Sequence, residues 1–138
     1  MSKSTAIHGQ LSSRLSVWAN ARSPKLVIKF EGQATTPTSG TYLREWLMLA
    51  TPRAAGIGVA AQNYQDGVYQ VDVVTDAAGW GIAYGVADEI STLFNRGRHM
   101  TGTGLRVTVK STAAGPAFRE EGRYILPVSI NFFAYIDV

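Results

Sequence analysis

Apolar residues recur at helical spacing in two segments of the chain. The first segment, residues 4–21, has them at intervals of four, four and three: Ile7, Leu11, Leu15 and Trp18. The second runs from about residue 81 to residue 95 and has the same kind of stripe: Ile82, Val86, Ile90, Leu93 and Phe94. The pattern therefore predicts two amphipathic helices, and Gly97 is suited to the left-handed position just past the second one.

The other ordered segments alternate between apolar and polar positions, which predicts β-strands. Strands are predicted over residues 25–30, 41–50, 64–75, 105–110 and 123–136. Residues 31–40, 51–63 and 111–122 are rich in small or turn-forming residues and are predicted to be loops. Pro127 lacks a backbone donor, so the last strand is predicted to lie at a sheet edge or to be bulged there.

The order of these elements predicts the fold class. The chain reads helix, strands, helix, strands, and neighbouring strands are joined by non-helical loops. This order favours an α+β fold, with an antiparallel or mixed sheet and two α-helices packed on one face. No composition break or internal repeat divides the 138 residues, so a single domain over residues 1–138 is expected.

Composition excludes several classes of protein. Hydrophobic residues make up 46% of the chain and charged residues 17%, which is not the composition of a disordered protein. The absence of cysteine excludes disulfide scaffolds, thiolate metal sites and cysteine catalysis. The first ten residues, MSKSTAIHGQ, lack the apolar core of a secretory signal, and no run is apolar enough to span a membrane. We expect a soluble protein of a reducing compartment.

The net charge of +3 favours a mildly basic, solvated surface, because the 13 basic residues are spread along the chain. A nucleic-acid-binding module is the competing hypothesis. It would need four basic residues on one face, beside exposed aromatic rings: Arg96, Arg98, Arg106 and Lys110. Salt-dependent affinity for short DNA would separate the two readings.

The residues that carry catalytic chemistry are few and scattered. His8 and His99 are the only histidines, and each is expected to be a surface histidine. The motifs of serine hydrolases, dinucleotide sites and phosphate-binding loops are absent from the sequence. The adjacent carboxylates Glu120 and Glu121 fit a surface ion-pair cluster with neighbouring arginines. We expect no enzyme activity, no catalytic residues, no cofactor and no metal site.

Aromatic residues on the outer positions of the long strands have two interpretations. Phe133 and Tyr135 lie opposite the expected core face of the last strand, and Trp46 shares a face with Met48 on the second strand. These side chains either pack under the helices or form protein–protein contacts, whose cores are enriched in aromatic residues, methionine and arginine. Association into an oligomer would also cover the edges of the sheet.

Four stretches of the chain resemble one family of phage proteins. They are TYLREWL at residues 41–47, YQDGVYQVDV at residues 64–73, GWGIAYGVADEI at residues 79–90 running on to FNRG at 94–97, and GPAFREEGRYILPVSI at residues 115–130. In this order they are similar to the tail terminators of lambda-like siphophages, a group of phage-related minor tail proteins. With the order of elements, the resemblance covers roughly residues 5–136.

The resemblance implies a structural role in the virion tail. Members of the family assemble as a ring, commonly a hexamer, on the last ring of the tail tube, stop tube growth and present a surface to the head connector or neck protein. It also implies assembly in the bacterial host cytoplasm, and DNA that passes through the ring without sequence-specific binding. A tail-completion or neck protein is the alternative within the same class.

Candidate contact residues follow from combining this role with the strand pattern. Four residues are expected in the contact between subunits: Arg44, Trp46, Phe133 and Tyr135. Four others lie on loops expected to reach partner proteins: Arg53, Arg119, Glu120 and Glu121.

Overall fold

The computed structural model describes residues 3–33, 40–50, 53–54 and 63–136, with residues 53, 54 and 63 described through their backbone. The helices and strands in chain order are α1 (Lys3–Ala21), β1 (Val27–Lys29), β2 (Tyr42–Leu49), β3 (Arg53–Ala54), β4 (Asn63–Asp76), α2 (Trp80–Leu93), β5 (His99–Gly102), β6 (Leu105–Ala114), β7 (Phe118–Glu120) and β8 (Arg123–Ile136). None of the described helices is long and apolar enough to cross a membrane.

The strands form one mixed sheet, which confirms the predicted α+β fold. The strand order is β1-β2-β4-β8-β6-β5, with β3 beside β4 and β7 beside β8. β1 runs parallel to β2, and the other pairs are antiparallel. The two longest strands, β4 and β8, pair along their whole length, from Asn63 opposite Ile136 to Asp76 opposite Arg123.

The core lies between the helices and one face of this sheet. Alternation along the strands directs the odd-numbered side chains of β4 and the even-numbered side chains of β8 towards the helices. Ile7, Leu11 and Leu15 of α1 are fully buried against that face, as the helical spacing predicts. The helices therefore cover one face of the sheet, and none of the described residues forms a helix on the opposite face.

The second helix buries Val86, Ile90 and Phe94 of the predicted stripe but not Ile82. Its buried residues are Ala83, Val86, Ala87 and Ile90, whereas Ile82, predicted to be buried, is exposed. Gly97 has a φ of 85°, which confirms the left-handed position expected after the helix.

The segment predicted as a loop over residues 111–122 is mostly β-structure. β6 continues to Ala114 beyond an irregularity between Val109 and Ser111, and β7 follows at residues 118–120. Glu121 and Gly122, with φ values of 51° and 76°, make the tight turn into β8. β5 was also not predicted. In the connection predicted over residues 51–63, residues 53 and 54 form β3, and residues 55–62 lie outside the described part of the chain.

The prediction that Pro127 marks a sheet edge is wrong, because β8 is a central strand. The irregularity lies in the neighbouring strands instead. β6 pairs with β8 from Ile136 back to Val128, and β7 pairs with it from Ile125 back to Arg123. Pro127 therefore faces the gap between β6 and β7, where neither strand needs a hydrogen bond from the backbone nitrogen of residue 127. The Pro127 carbonyl accepts a hydrogen bond from the Gly115 amide at 2.7 Å.

Candidate functional site

The sheet face without helices carries a cluster of three aromatic rings. Tyr64 stacks on Phe133 with ring centroids 5.7 Å apart, and Tyr135 packs edge-on against both rings. Cross-strand pairing of β4 with β8 creates the cluster, because Tyr64 lies opposite Tyr135. We call the surface formed by Trp46, Met48 and these three rings the open sheet face. Its aromatic side chains do not pack under the helices, so that interpretation is excluded.

Arg44 is held at the border of the open sheet face by charges of its own subunit. Its Nε donates to Asp72 Oδ2 at 2.8 Å, and its Nη2 lies 3.6 Å from Glu120 Oε2. The guanidinium also lies 5.6 Å from the ring centroid of Trp46. Burial lowers the pKa of Arg44, but the hydrogen bond and charge of Asp72, with Glu120, more than offset this and raise it. Arg44 thus positions Trp46 while neutralising the buried Asp72 carboxylate.

The predicted loop residues are only partly brought together. Glu120 reaches Arg44, whereas Arg119 donates to the carbonyl of Ala77 at 2.9 Å and lies over the Tyr124 ring. Glu121 is exposed at the turn between β7 and β8. The side chain of Arg53 is outside the described residues.

A second apolar surface, not predicted as a site, lies on the outer side of α2. Trp80, Ile82 and Tyr84 are 62%, 59% and 45% exposed. Successive residues of a helix are 100° apart, which places Ile82 on one side of the exposed helix face and Trp80 and Tyr84 on the other side. Gly81 and Gly85 lie between them. A Cβ added at either glycine would meet nothing within 4 Å. We call these five residues the α2 patch.

The signal for the α2 patch was present in the sequence. The stretch Gly79–Ala87 contains no charged residue and is apolar or small on every side of the helix. A helix that is apolar all round is buried on more than one side. Its own sheet covers one side only, so the other side is suited to a second protein.

The four basic residues of the nucleic-acid hypothesis do not share one face. Arg98 lies near Arg14 of α1; burial first, and then the charge of Arg98, lowers the pKa of Arg14. Arg106 instead lies opposite Tyr135, on the side of the open sheet face. Lys110 forms an ion pair with Asp66 at 2.9 Å. Arg98 therefore lies apart from Arg106 and Lys110, which are both on the side of the open sheet face.

The two histidines have different environments. His99 is exposed, and its Nδ1 lies 2.9 Å from the Thr108 hydroxyl. His8 was expected at the surface, but its Nε2 lies 2.8 Å and 2.9 Å from the two carboxylate oxygens of Glu45, whose side chain is fully buried. The sequence signal was the position of Glu45 on the apolar face of β2, between Leu43 and Leu47.

Comparison with known proteins shows which family and which solved structures this chain is similar to. The sequence model of a family described as "Phage tail terminator protein" matches residues 6–132. A solved structure whose name states no function is 30% identical, with a TM-score of 0.77, and the match covers 100% of this chain and 98% of the other. A chain of the virion of a native gene transfer agent particle is 20% identical, with a TM-score of 0.48 and coverage of 96% and 98%. No functionally curated protein matches the sequence.

Proposed function

The chain belongs to the phage tail terminator family and is a structural component of a phage tail, and from this premise we propose that its copies close into a ring, a hexamer, on the end of the tail tube. The ring ends tube polymerisation and joins the tail to the head connector or neck protein. Family membership confirms the resemblance found in the sequence. Ring closure, its stoichiometry and its partners form the proposal.

One observation carries this proposal: the subunit has two separate exposed apolar surfaces, one on each side of the sheet. The open sheet face lies on the side without helices, and the α2 patch lies beyond the helix layer. A ring of identical subunits is built from head-to-tail contacts, in which two different surfaces of the subunit meet. Two such surfaces on one subunit support head-to-tail contacts of this kind.

The open sheet face supplies the subunit contact in this proposal. Trp46, Phe133 and Tyr135 are half-buried within the subunit and keep part of each ring exposed, as aromatic residues at interface cores do before association. Arg44 acts indirectly, by fixing Trp46 through its guanidinium and by its ion pair with Asp72. The α2 patch is the surface that receives or flanks the next copy.

The loops supply the contacts to other proteins of the tail. Arg119, Glu120 and Glu121 lie at the β7–β8 turn, and we assign them to the tube or the connector, together with Arg53. DNA would cross the ring without sequence-specific binding, which is consistent with the dispersed basic residues. The ring would be assembled in the bacterial host cytoplasm.

Native mass spectrometry across a concentration series tests ring closure. Six copies of the 14.9-kDa chain give a species of about 90 kDa. The same protein added to polymerising tail-tube protein should bind tube ends and shorten the tubes seen by electron microscopy. A chain that stays monomeric and leaves tube length unchanged would contradict the proposal.

A pair of variants tests the surface. Phe133→Ser should abolish formation of the hexamer, because it removes from the open sheet face the aromatic side chain that stacks on Tyr64. The control is Val17→Ser, which removes an apolar side chain that is 71% exposed on α1, outside both surfaces, and should leave the ring intact. A steep salt dependence of binding to short DNA by the monomer would instead favour the nucleic-acid module.

A further inference from the structure

We propose that His8, Glu31 and Glu45 form a site for one divalent transition-metal ion of the Zn²⁺ class. The site does not depend on the proposed function, although the opening beside it is also lined by Arg44 and Trp46 of the proposed subunit contact. Among the described residues, these three side chains each place one ligand atom within 4.8 Å of the other two. They come from different elements: α1, the turn after β1, and β2.

The two glutamates differ in how they are held. The Glu45 side chain is fully buried, and both of its oxygens lie within 2.9 Å of His8 Nε2. Glu31 is exposed and accepts from the Leu47 amide through Oε2 at 3.4 Å, which draws its turn onto the edge of β2 beyond the end of β1. A buried carboxylate with a second carboxylate beside it is costly, and a divalent cation between them offsets that repulsion.

A buried hydroxyl aimed at the cluster is the second observation that indicates a ligand. Tyr69 is fully buried, and its hydroxyl lies beside Ser12 and Glu45 without a hydrogen bond of ordinary geometry. Its ring packs edge-on against the His8 ring, with centroids 6.4 Å apart. Buried polar atoms almost always have a partner. A metal-bound water, or a Glu45 oxygen turned by coordination, would give this hydroxyl its acceptor.

The Tyr69 hydroxyl is placed to act on the cluster as a hydrogen-bond donor. A protonated hydroxyl can only support a negatively charged ligand by donating to it. Tyr69 is therefore suited to orient a coordinating carboxylate or water rather than to bind the metal itself.

The donor set selects the class of metal. One imidazole nitrogen and two carboxylate oxygens suit Zn²⁺ and its neighbours, whereas Ca²⁺ and Mg²⁺ prefer sites built from oxygen alone. Zinc places nitrogen and oxygen ligands at roughly 2.0–2.2 Å, so His8 and Glu45 would have to separate slightly from their present contact. An opening of about 310 Å³, lined among others by Glu31 and Glu45, gives an ion access from solvent.

Zinc titration of the full-length, chelator-treated protein tests the site. Isothermal calorimetry should show one Zn²⁺ per chain, and the melting temperature should rise in excess Zn²⁺ because only the folded chain presents the three ligands together. Ca²⁺ should give neither effect. Glu31→Gln and His8→Gln should each weaken zinc binding by at least about tenfold. His99→Gln changes the other histidine and should bind zinc as the wild type does.

Tyr69→Phe tests whether the hydroxyl supports a bound metal, because a cluster that binds no metal would show no zinc-dependent change in melting temperature. Removing the unpartnered hydroxyl should raise the melting temperature of the metal-free protein and reduce the further rise caused by zinc. The proposal is overturned if the wild type does not bind zinc, if Glu31→Gln binds it undiminished, or if His99→Gln loses it. Glu31 is exposed, so this variant keeps the test valid even if His8→Gln fails to fold.

Discussion

Gly67 of β4 lies directly opposite Phe132 of β8, and the Phe132 ring occupies the space that a side chain at residue 67 would fill. A Cβ at Gly67 would come within 2.7 Å of Phe132 Cζ and within 2.8 Å of the Met48 carbonyl oxygen. Phe132 is among the largest fully buried side chains. The glycine is therefore required by the packing of the central strands and not by a turn.

Gly67→Ala should destabilise the monomer by about 1–3 kcal/mol, because the backbone of β2 cannot move aside without disturbing its ladder. Urea denaturation followed by circular dichroism measures the loss. An unchanged unfolding midpoint would show that Phe132 can rotate away from residue 67.

Gly85→Ala should have the opposite effect on the monomer. A Cβ there meets nothing within 4 Å, so the substitution should stabilise the helix by up to about 1 kcal/mol. The same methyl group lies in the middle of the α2 patch and should weaken ring formation. Denaturation and native mass spectrometry on one sample separate the two effects, and a variant that is stabilised and still assembles would exclude Gly85 from the subunit contact.

Loss of the ion pair between Arg44 and Asp72 should lower the stability of the monomer, and any effect on assembly should follow from that loss. Arg44→Leu leaves the Asp72 carboxylate buried, with Gln70 as its remaining side-chain partner among the described residues, at a cost of about 2–4 kcal/mol. Adding Asp72→Asn to Arg44→Leu should recover part of this loss. A double-mutant cycle in urea measures the coupling; additive losses would mean that the pair is not coupled. Charge reversal at Arg44 would place three acidic groups together, so it is a poor probe of the subunit contact.

Ile82 and Val86 form a matched pair on α2, one facing solvent and the other facing the sheet. Ile82→Ser should change monomer stability by less than about 0.5 kcal/mol but reduce assembly, because the side chain is 59% exposed in the subunit. Val86→Ala should cost roughly 1–3 kcal/mol by leaving a cavity. Equal losses of stability in the two variants would show that Ile82 packs within its own subunit.

The regular elements with strong periodicity could be read from the sequence. The predicted strand at residues 123–136 coincides with β8, and α1 differs from its prediction by one residue at its start. Both have long runs in which the positions of one face are consistently apolar. The α2 stripe misplaced Ile82 because apolar residues occur on all sides of that helix, so periodicity alone cannot show which side meets the sheet.

Shorter elements depended on contacts that no local pattern contains. β5 has four residues and β7 three, and each exists because a long neighbouring strand offers it a hydrogen-bonding edge. Pro127 could be accommodated in a central strand only because β6 ends and β7 begins on either side of it. The formation of β5 and β7 and the position of Pro127 therefore depend on the pairing of the whole sheet.

The sequence by itself determined the fold class, the two helices, the long strands and the family, because each depends on patterns within a continuous stretch of chain. Only the tertiary structure decided which side chains meet. His8 and Glu45 are 37 residues apart, and the packing of α1 over β2 brings them to 2.8 Å. Such contacts depend on where chain segments cross, and local residue spacing does not encode that position.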